Sequence, residues 1–313
     1  MNLPNSLYEA IVKGFAGTGE VGDRRTLFLF VVDHSQAMQK LFAETGRSRI
    51  ASVTEALNEM KSEMAKVDCG KHIDVGFIGY PIATGDTATG SMWSDGSRQG
   101  IIRSVADKTQ IVAGTLSGAC NDGASDALSV AREQVSGWMK SNGHPLFSPV
   151  VLHVTAVEHA PIPNIEATAQ ALTATSGTCL FHCCFDERSP DNLVVPRQAE
   201  VPEGLASQLF SVSSELPPLV EDVGELLNGR ISPRLRKMGE DIAQSYGVPR
   251  GLASLGADLL RGALRGGMRL PTGIPGWPVE VGMRVEGLQI NSRTGFALVR
   301  GMVGFRIFTR LFN

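Results

Sequence analysis

The chain has little cysteine: Cys69, Cys120, Cys179, Cys183 and Cys184, an odd number with two adjacent. That is no disulfide framework, and it suits reduced thiols in a cytoplasmic protein. No stretch approaches the roughly 18 uncharged apolar residues that a membrane span requires. The start, "MNLPNSLYEAIVKGFAG", lacks the basic beginning and unbroken apolar core of a secretory signal. Charge of one sign is also scarce, with a formal net charge of −3 over 313 residues, which argues against nucleic acid as a partner. There is no repeat of fixed period. No C-x-x-C pair supplies zinc-site spacing, and no G-x-S-x-G elbow supplies a hydrolase nucleophile.

What remains has a globular composition, 42% hydrophobic and 19% charged. "TLFLFVVD" (26–33) is a continuous apolar run, the pattern of a central strand buried on both faces. "HIDVGFIGY" (72–80), "PVVLHVTAV" (149–157) and "TCLFHCCF" (178–185) read as further strands. Between them lie helical patterns at 48–66, 122–140 and 163–175, with others at 6–15, 202–212 and 218–240. Residues 82–104, rich in Gly, Ser, Thr and Asp, read as a long loop or hairpin. Strands alternating with helices predict an α/β fold, a doubly wound and mostly parallel sheet. Such sheets bind their ligands at the carboxyl ends of the strands, here near Asp33, Ala156 and Asp186.

Beyond residue 245 the texture changes. From Arg250 onward nine arginines face three acids, Asp258, Glu280 and Glu286, so this tail carries +6 and the rest of the chain −9. "PTGIPGWP" is a Pro/Gly linker, and the residues after it are apolar and Gly-rich with spaced arginines. The expected organisation is an N-terminal helix and linker (1–21), a sheet domain (22–245) and a basic, apolar C-terminal extension (246–313). The extension has three readings: packing on its own domain with snorkelling arginines, binding a partner, or lying on an anionic membrane through 251–313.

"FLFVVDHSQAM" resembles the first motif of von Willebrand factor A (vWA) domains, which carry D-x-S-x-S after their first strand. "IDVGFIGY", "CNDGASDALSVAREQVSGW", "FSPVVLHVTAVEHA" and "SQLFSVSSELPPLV" resemble later segments of a bacterial intracellular group of that family, over roughly residues 22–235. The family's metal-ion-dependent adhesion site uses the two serines, a Thr from a second loop and an Asp from a third. Here Asp33 and Ser35 match, Ala37 replaces the second serine, Asp122 stands where the Thr is expected, and Ala156 replaces the third-loop Asp. Mg²⁺ wants near-octahedral oxygen ligation, and two alanine methyls supply none. The resemblance therefore implies a vWA/Rossmann-like domain with a degenerate site and no cofactor. A residual Mg²⁺ site would fall to Asp33, Ser35 and Asp122. Without a metal, Asp33 reads as a strand-end cap for the next helix.

Other signals are weaker. "GTGEVG" (17–22) satisfies G-x-G-x-x-G but precedes the first strand instead of following one, so a connector is the better reading. Cys179, His182, Cys183 and Cys184 alternate across a strand and read as buried thiols around a histidine. His34, His153 and His159 lie near the carboxyl edge, but a local D-H-S run does not fold into a triad by adjacency.

The functional expectation is a non-enzymatic adaptor in a bacterial multi-protein stress or defence system. Its partners, as the resemblance implies, are a kinase, a phosphatase or an AAA+ ATPase. The expected partner-binding edge is Asp33, His34, Ser35, Asp122 and Glu158. Two alternatives stand beside it: a metal-dependent module that captures a partner's carboxylate, and a membrane-associated effector working through the extension.

Overall fold

The computed structural model describes residues 25–42, 45–66, 73–80, 93–95, 101–112, 123–143, 148–157, 161–175, 177–189, 192–194, 196, 198–215 and 294–310. The expected helices at 6–15 and 218–240 and the Pro/Gly linker lie outside these residues.

Thr26–Asp33 (β1), Ile73–Tyr80 (β2), Arg103–Ser104 (β3), Val150–Ala156 (β4), Cys179–Phe185 (β5), Leu193–Val194 (β6) and Phe296–Val299 (β7) form one sheet. Its order is β3-β2-β1-β4-β5-β7-β6. β1, β2, β4, β5 and β7 run parallel, while the two-residue strands β3 and β6 are antiparallel to β2 and β7. Very short edge strands give little template for pairing with another chain. The helices are Gln36–Gln39 (α1), Arg49–Lys66 (α2), Ala124–Asn142 (α3), Ile165–Thr173 (α4), Leu205–Val212 (α5) and Met302–Arg310 (α6).

The continuous apolar run of β1 follows from its central place. Phe28, Phe30 and Val32 join a core under α1, α2 and α6, while Leu27, Leu29 and Val31 join a second core under α3, α4 and α5. A strand buried on both faces has no polar side to alternate with. α2 buries Ile50, Val53, Leu57, Met60 and Met64 at helical spacing. α3 buries Ala124, Ala127 and Ala131 beside Leu128 and Val135, and Gly143 ends it at φ 71° with its N–H returned to the Met139 carbonyl. The doubly wound α/β architecture expected from the alternating pattern is the one observed.

The expected boundary at 245/246 is crossed by the sheet. β7 comes from the stretch read as an extension, yet all four of its residues are buried between β5 and β6. α6 follows and seats Phe305 and Phe308 in the core it shares with α2, while Arg306 pairs with Glu59 at 3.1 Å. For residues 294–310 the reading as self-packing is the one that holds. Periodicity could not show this, because four strand residues beside a Gly-rich segment carry too short a pattern.

Gly295 marks how closely β7 approaches its neighbour. A Cβ at this position would collide with the buried ring of Phe181. Gly295→Ala is expected to destabilise the protein by on the order of 3 kcal/mol, since a rigid ring in a packed core has nowhere to go. Chemical denaturation of the two proteins checks this, and an unchanged midpoint would contradict the placement of β7.

Candidate functional site at the carboxyl edge

The chain leaves β1 for β2 on one side and later returns to β4 on the other. The gap between β1 and β4 is therefore the topological switch point, where open α/β sheets place their sites. Asp33 ends β1 there. Its Oδ1 accepts the Ser35 N–H at 2.7 Å, and its Oδ2 accepts the Thr155 hydroxyl of β4 at 2.9 Å. The first bond is an Asx turn, which tightens the chain as it leaves the strand. Ser35 then starts α1 with extended backbone but without a side-chain capping bond. Asp33 thus holds the turn before the helix instead of capping the helix itself.

Residue alternation sends the D-H-S side chains apart. Asp33 faces Thr155, whereas His34 turns to the opposite core, edge-on to Phe77 with ring centres 6.1 Å apart. The His34 N–H donates to the Tyr80 carbonyl at 2.7 Å. A triad needs the imidazole between carboxylate and hydroxyl, and this geometry separates them.

Exposure revises the expected contact residues. Asp33, His34 and Ser35 are at most 1% exposed, so they build the edge without presenting it. The exposed residues nearby are Gln36, Lys40 and Leu41 on the first loop, and Glu187 and Arg188 after β5. Asp122 and Glu158 lie outside the described residues, as does His159.

Arg49 joins these two loops, and nothing in the sequence reading singled it out. It is fully buried, donates to the Ala37 carbonyl at 3.2 Å and pairs with Glu187 at 3.0 Å. An arginine at the first position of an 18-residue helix opposes the helix dipole. That misfit was the available signal that its guanidinium serves another part of the structure. The loop it supports is held by backbone bonds as well, with Phe42 N–H to Arg47 O at 2.9 Å and Arg49 N–H to Lys40 O at 2.9 Å.

A line of buried polar side chains runs from Asp33 across the sheet. Asp33 and Tyr80 are register partners on β1 and β2, and His153 and His182 are register partners on β4 and β5. The Tyr80 hydroxyl lies 2.6 Å from His153 Nε2, the rings of His153 and His182 meet edge-on at 5.1 Å, and His182 Nδ1 lies 2.9 Å from Ser213 Oγ. Burial holds the Tyr80 phenol well above its usual range, with the Asp33 charge adding to the effect. Burial also pushes the His153 imidazole down to about 4, against a small opposing pull from Asp33. His182 is driven well below its ordinary value by burial and then by its histidine neighbour. Tyr80, His153 and His182 are therefore neutral near pH 7, as burial away from a paired charge requires.

The strand thiols behave as buried apolar groups. Cys183 and Cys184 are fully buried on opposite faces, and burial raises the pKa of both. Cys179 is raised to about 11 by the same cause. Thiols held this far from ionisation are poor nucleophiles and poor metal ligands.

The described residues do not fit a divalent cation. Both Asp33 oxygens accept hydrogen bonds from the protein, and the buried methyls of Ala37 and Ala156 offer no donor atom. Among the described residues no group of three His, Cys, Asp or Glu side chains is placed to hold one. No protein-family model matches the chain, and no curated protein matches its sequence significantly.

Proposed function

We propose that this chain is a non-enzymatic, cytoplasmic protein–protein interaction module, an adaptor of a bacterial multi-protein stress or defence system. It binds its partner through the rim above Asp33 and without a metal ion. The observation that carries this reading is Leu41, 63% exposed on a loop whose backbone is pinned by Arg49 from beneath. A large exposed apolar side chain beside hydrogen-bonded backbone at a switch point is a poor arrangement for stability and a good one for contact. Charges of both signs, Lys40 next to it in the chain and Glu187 and Arg188 on the second loop that Arg49 ties to the first, supply a polar rim. The resemblance to intracellular vWA domains supports the class of partner: a kinase, a phosphatase or an AAA+ ATPase.

Candidate partners of that class, purified and immobilised, test the reading. Leu41→Asp is expected to weaken binding at least tenfold while leaving the thermal midpoint nearly unchanged, because the side chain is solvated in the free protein. EDTA is expected to have no effect. Binding that EDTA abolishes and Mg²⁺ restores would identify the metal-dependent alternative, and binding indifferent to Leu41→Asp would move the contact surface elsewhere. Among the described residues no helix is long and apolar enough to cross a membrane.

A further inference from the structure

Three parts of the chain meet at His182. Its backbone N–H donates to the Gly295 carbonyl at 3.0 Å, just where β7 begins. Its Nδ1 holds the Ser213 hydroxyl at the end of α5, and its ring rests on His153. Next to it, the Ser214 N–H donates to the Leu180 carbonyl at 2.7 Å, its hydroxyl accepts the Leu180 N–H at 2.8 Å, and Gly295 N–H donates to the Ser214 carbonyl at 2.9 Å. Segments far apart in sequence, 213–215 and 294–296, thus converge on Leu180–His182 of β5.

The two rings have no place for an added proton. The Ser213 hydroxyl donates to the Leu209 carbonyl at 2.8 Å, so it accepts from His182 Nδ1, which leaves Nε2 as the basic nitrogen. That Nε2 and the Nδ1 of His153 are buried without a hydrogen-bond partner. Among the described residues the titratable groups nearby are the Tyr80 phenol from β2, the Cys184 thiol from β5 and, through Thr155 and Tyr80, the Asp33 carboxylate from β1. β7 presents Phe296 and Leu298 to this face. α3, α4 and α5 bury alanine, leucine, isoleucine and valine there, and the charged residues of these helices sit on their exposed faces. Among the described residues no carboxylate is hydrogen-bonded or ion-paired to either imidazole, and the Asp33 charge reaches His153 only at a distance and weakly against burial, so an imidazolium formed in place would be a poorly compensated buried charge.

We propose that the His153–His182 pair is a proton-operated latch on the C-terminal strand: proton uptake by the pair releases β7 and α6 from the sheet ahead of β1, β2 and β4. Release follows this line because β7 has the smallest holding surface of the parallel strands, four residues paired with β5 and two with the short β6. Lifting it breaks the Gly295 bond at His182 and opens the pair to water. β1 cannot be lifted alike, since eight of its residues pair with β2 and five with β4.

Hydrogen–deuterium exchange of the full chain between pH 7.5 and 5, corrected for intrinsic rates, tests the latch. Each imidazole that gains a proton on opening raises the opening constant tenfold per pH unit below about 6.5, so the pair raises it about a hundredfold. The amides of 296–299 are expected to lose protection at that slope while those of 27–32 stay protected. His182→Gln is expected to reduce the slope to tenfold or less. Where that variant does not fold, His153→Gln reads the same reduction from the other ring. His34→Gln, in the opposite core, is expected to leave the order of opening unchanged. Protection of 296–299 that is independent of pH, loss in β1 and β7 together, or an unchanged slope in the ring variants would overturn the proposal.

Discussion

A chain ending at residue 293 is expected to show no cooperative unfolding transition. The cut removes Phe296, Leu298, Val299, Phe305 and Phe308, all fully buried. At about 1.5–3 kcal/mol for each large apolar side chain, these contribute on the order of 10 kcal/mol. That is comparable with the roughly 5–15 kcal/mol by which a whole domain is stable. The loss is compounded because the flank of β5 and the lower face of α2 would then meet water. Circular dichroism melts of the two chains check this, and a sharp transition within a few degrees of the full-length midpoint would contradict it. Phe305→Ala in the intact chain is the graded version, with about 3–5 kcal/mol expected for a large-to-small change in a closed core. One consequence concerns the basic tail. A truncation at 245 removes part of the sheet, so comparing its membrane binding with that of the whole chain would confuse unfolding with lost lipid contact.

Asp33→Ala is expected to cost about 2–4 kcal/mol whether or not Mg²⁺ is present. The substitution strands two buried donors, the Ser35 N–H and the Thr155 hydroxyl, at roughly 1–3 kcal/mol each, partly offset because a buried carboxylate no longer needs its partners. Asp33→Asn keeps one acceptor oxygen and the shape of the turn, so a smaller loss is expected. Urea denaturation with EDTA and again with millimolar Mg²⁺ measures both. Stabilisation of the unmutated protein by Mg²⁺ that vanishes in Asp33→Ala would show that the carboxylate serves an ion after all. A loss below about 0.5 kcal/mol would show that the turn does not depend on it.

Asp33 illustrates how the sequence and the structure divide the account. Its position at the end of an apolar run placed it at the carboxyl edge of a central strand, and the structure agrees. Its burial was not legible, because what covers a strand end depends on loops and partners remote in sequence. Thr155 is 122 positions away and donates to one of the two oxygens of the carboxylate. Tyr80, His153 and His182 likewise sit on three separate strands, and only register brings them into line. Period-2 alternation could say that His153 and Thr155 share a face, but not that β2 would bring Tyr80 beside them. The exposed rim was missed for a related reason. Leu41 lies in a loop without periodicity, and hydrophobicity by itself expects a leucine to be inside.

The sequence alone determined the fold class, the four long strands β1, β2, β4 and β5 and the helices α2, α3, α4 and α5 between and after them, because these follow from local period and from burial on two sides of a sheet. Tertiary structure alone decided that β7 and α6 complete the domain, that Arg49 holds the rim and that the D-H-S run supports a surface without forming it. Those outcomes depend on long-range pairing, where a four-residue strand is specified by the gap it fills and a buried charge by the partner that reaches it.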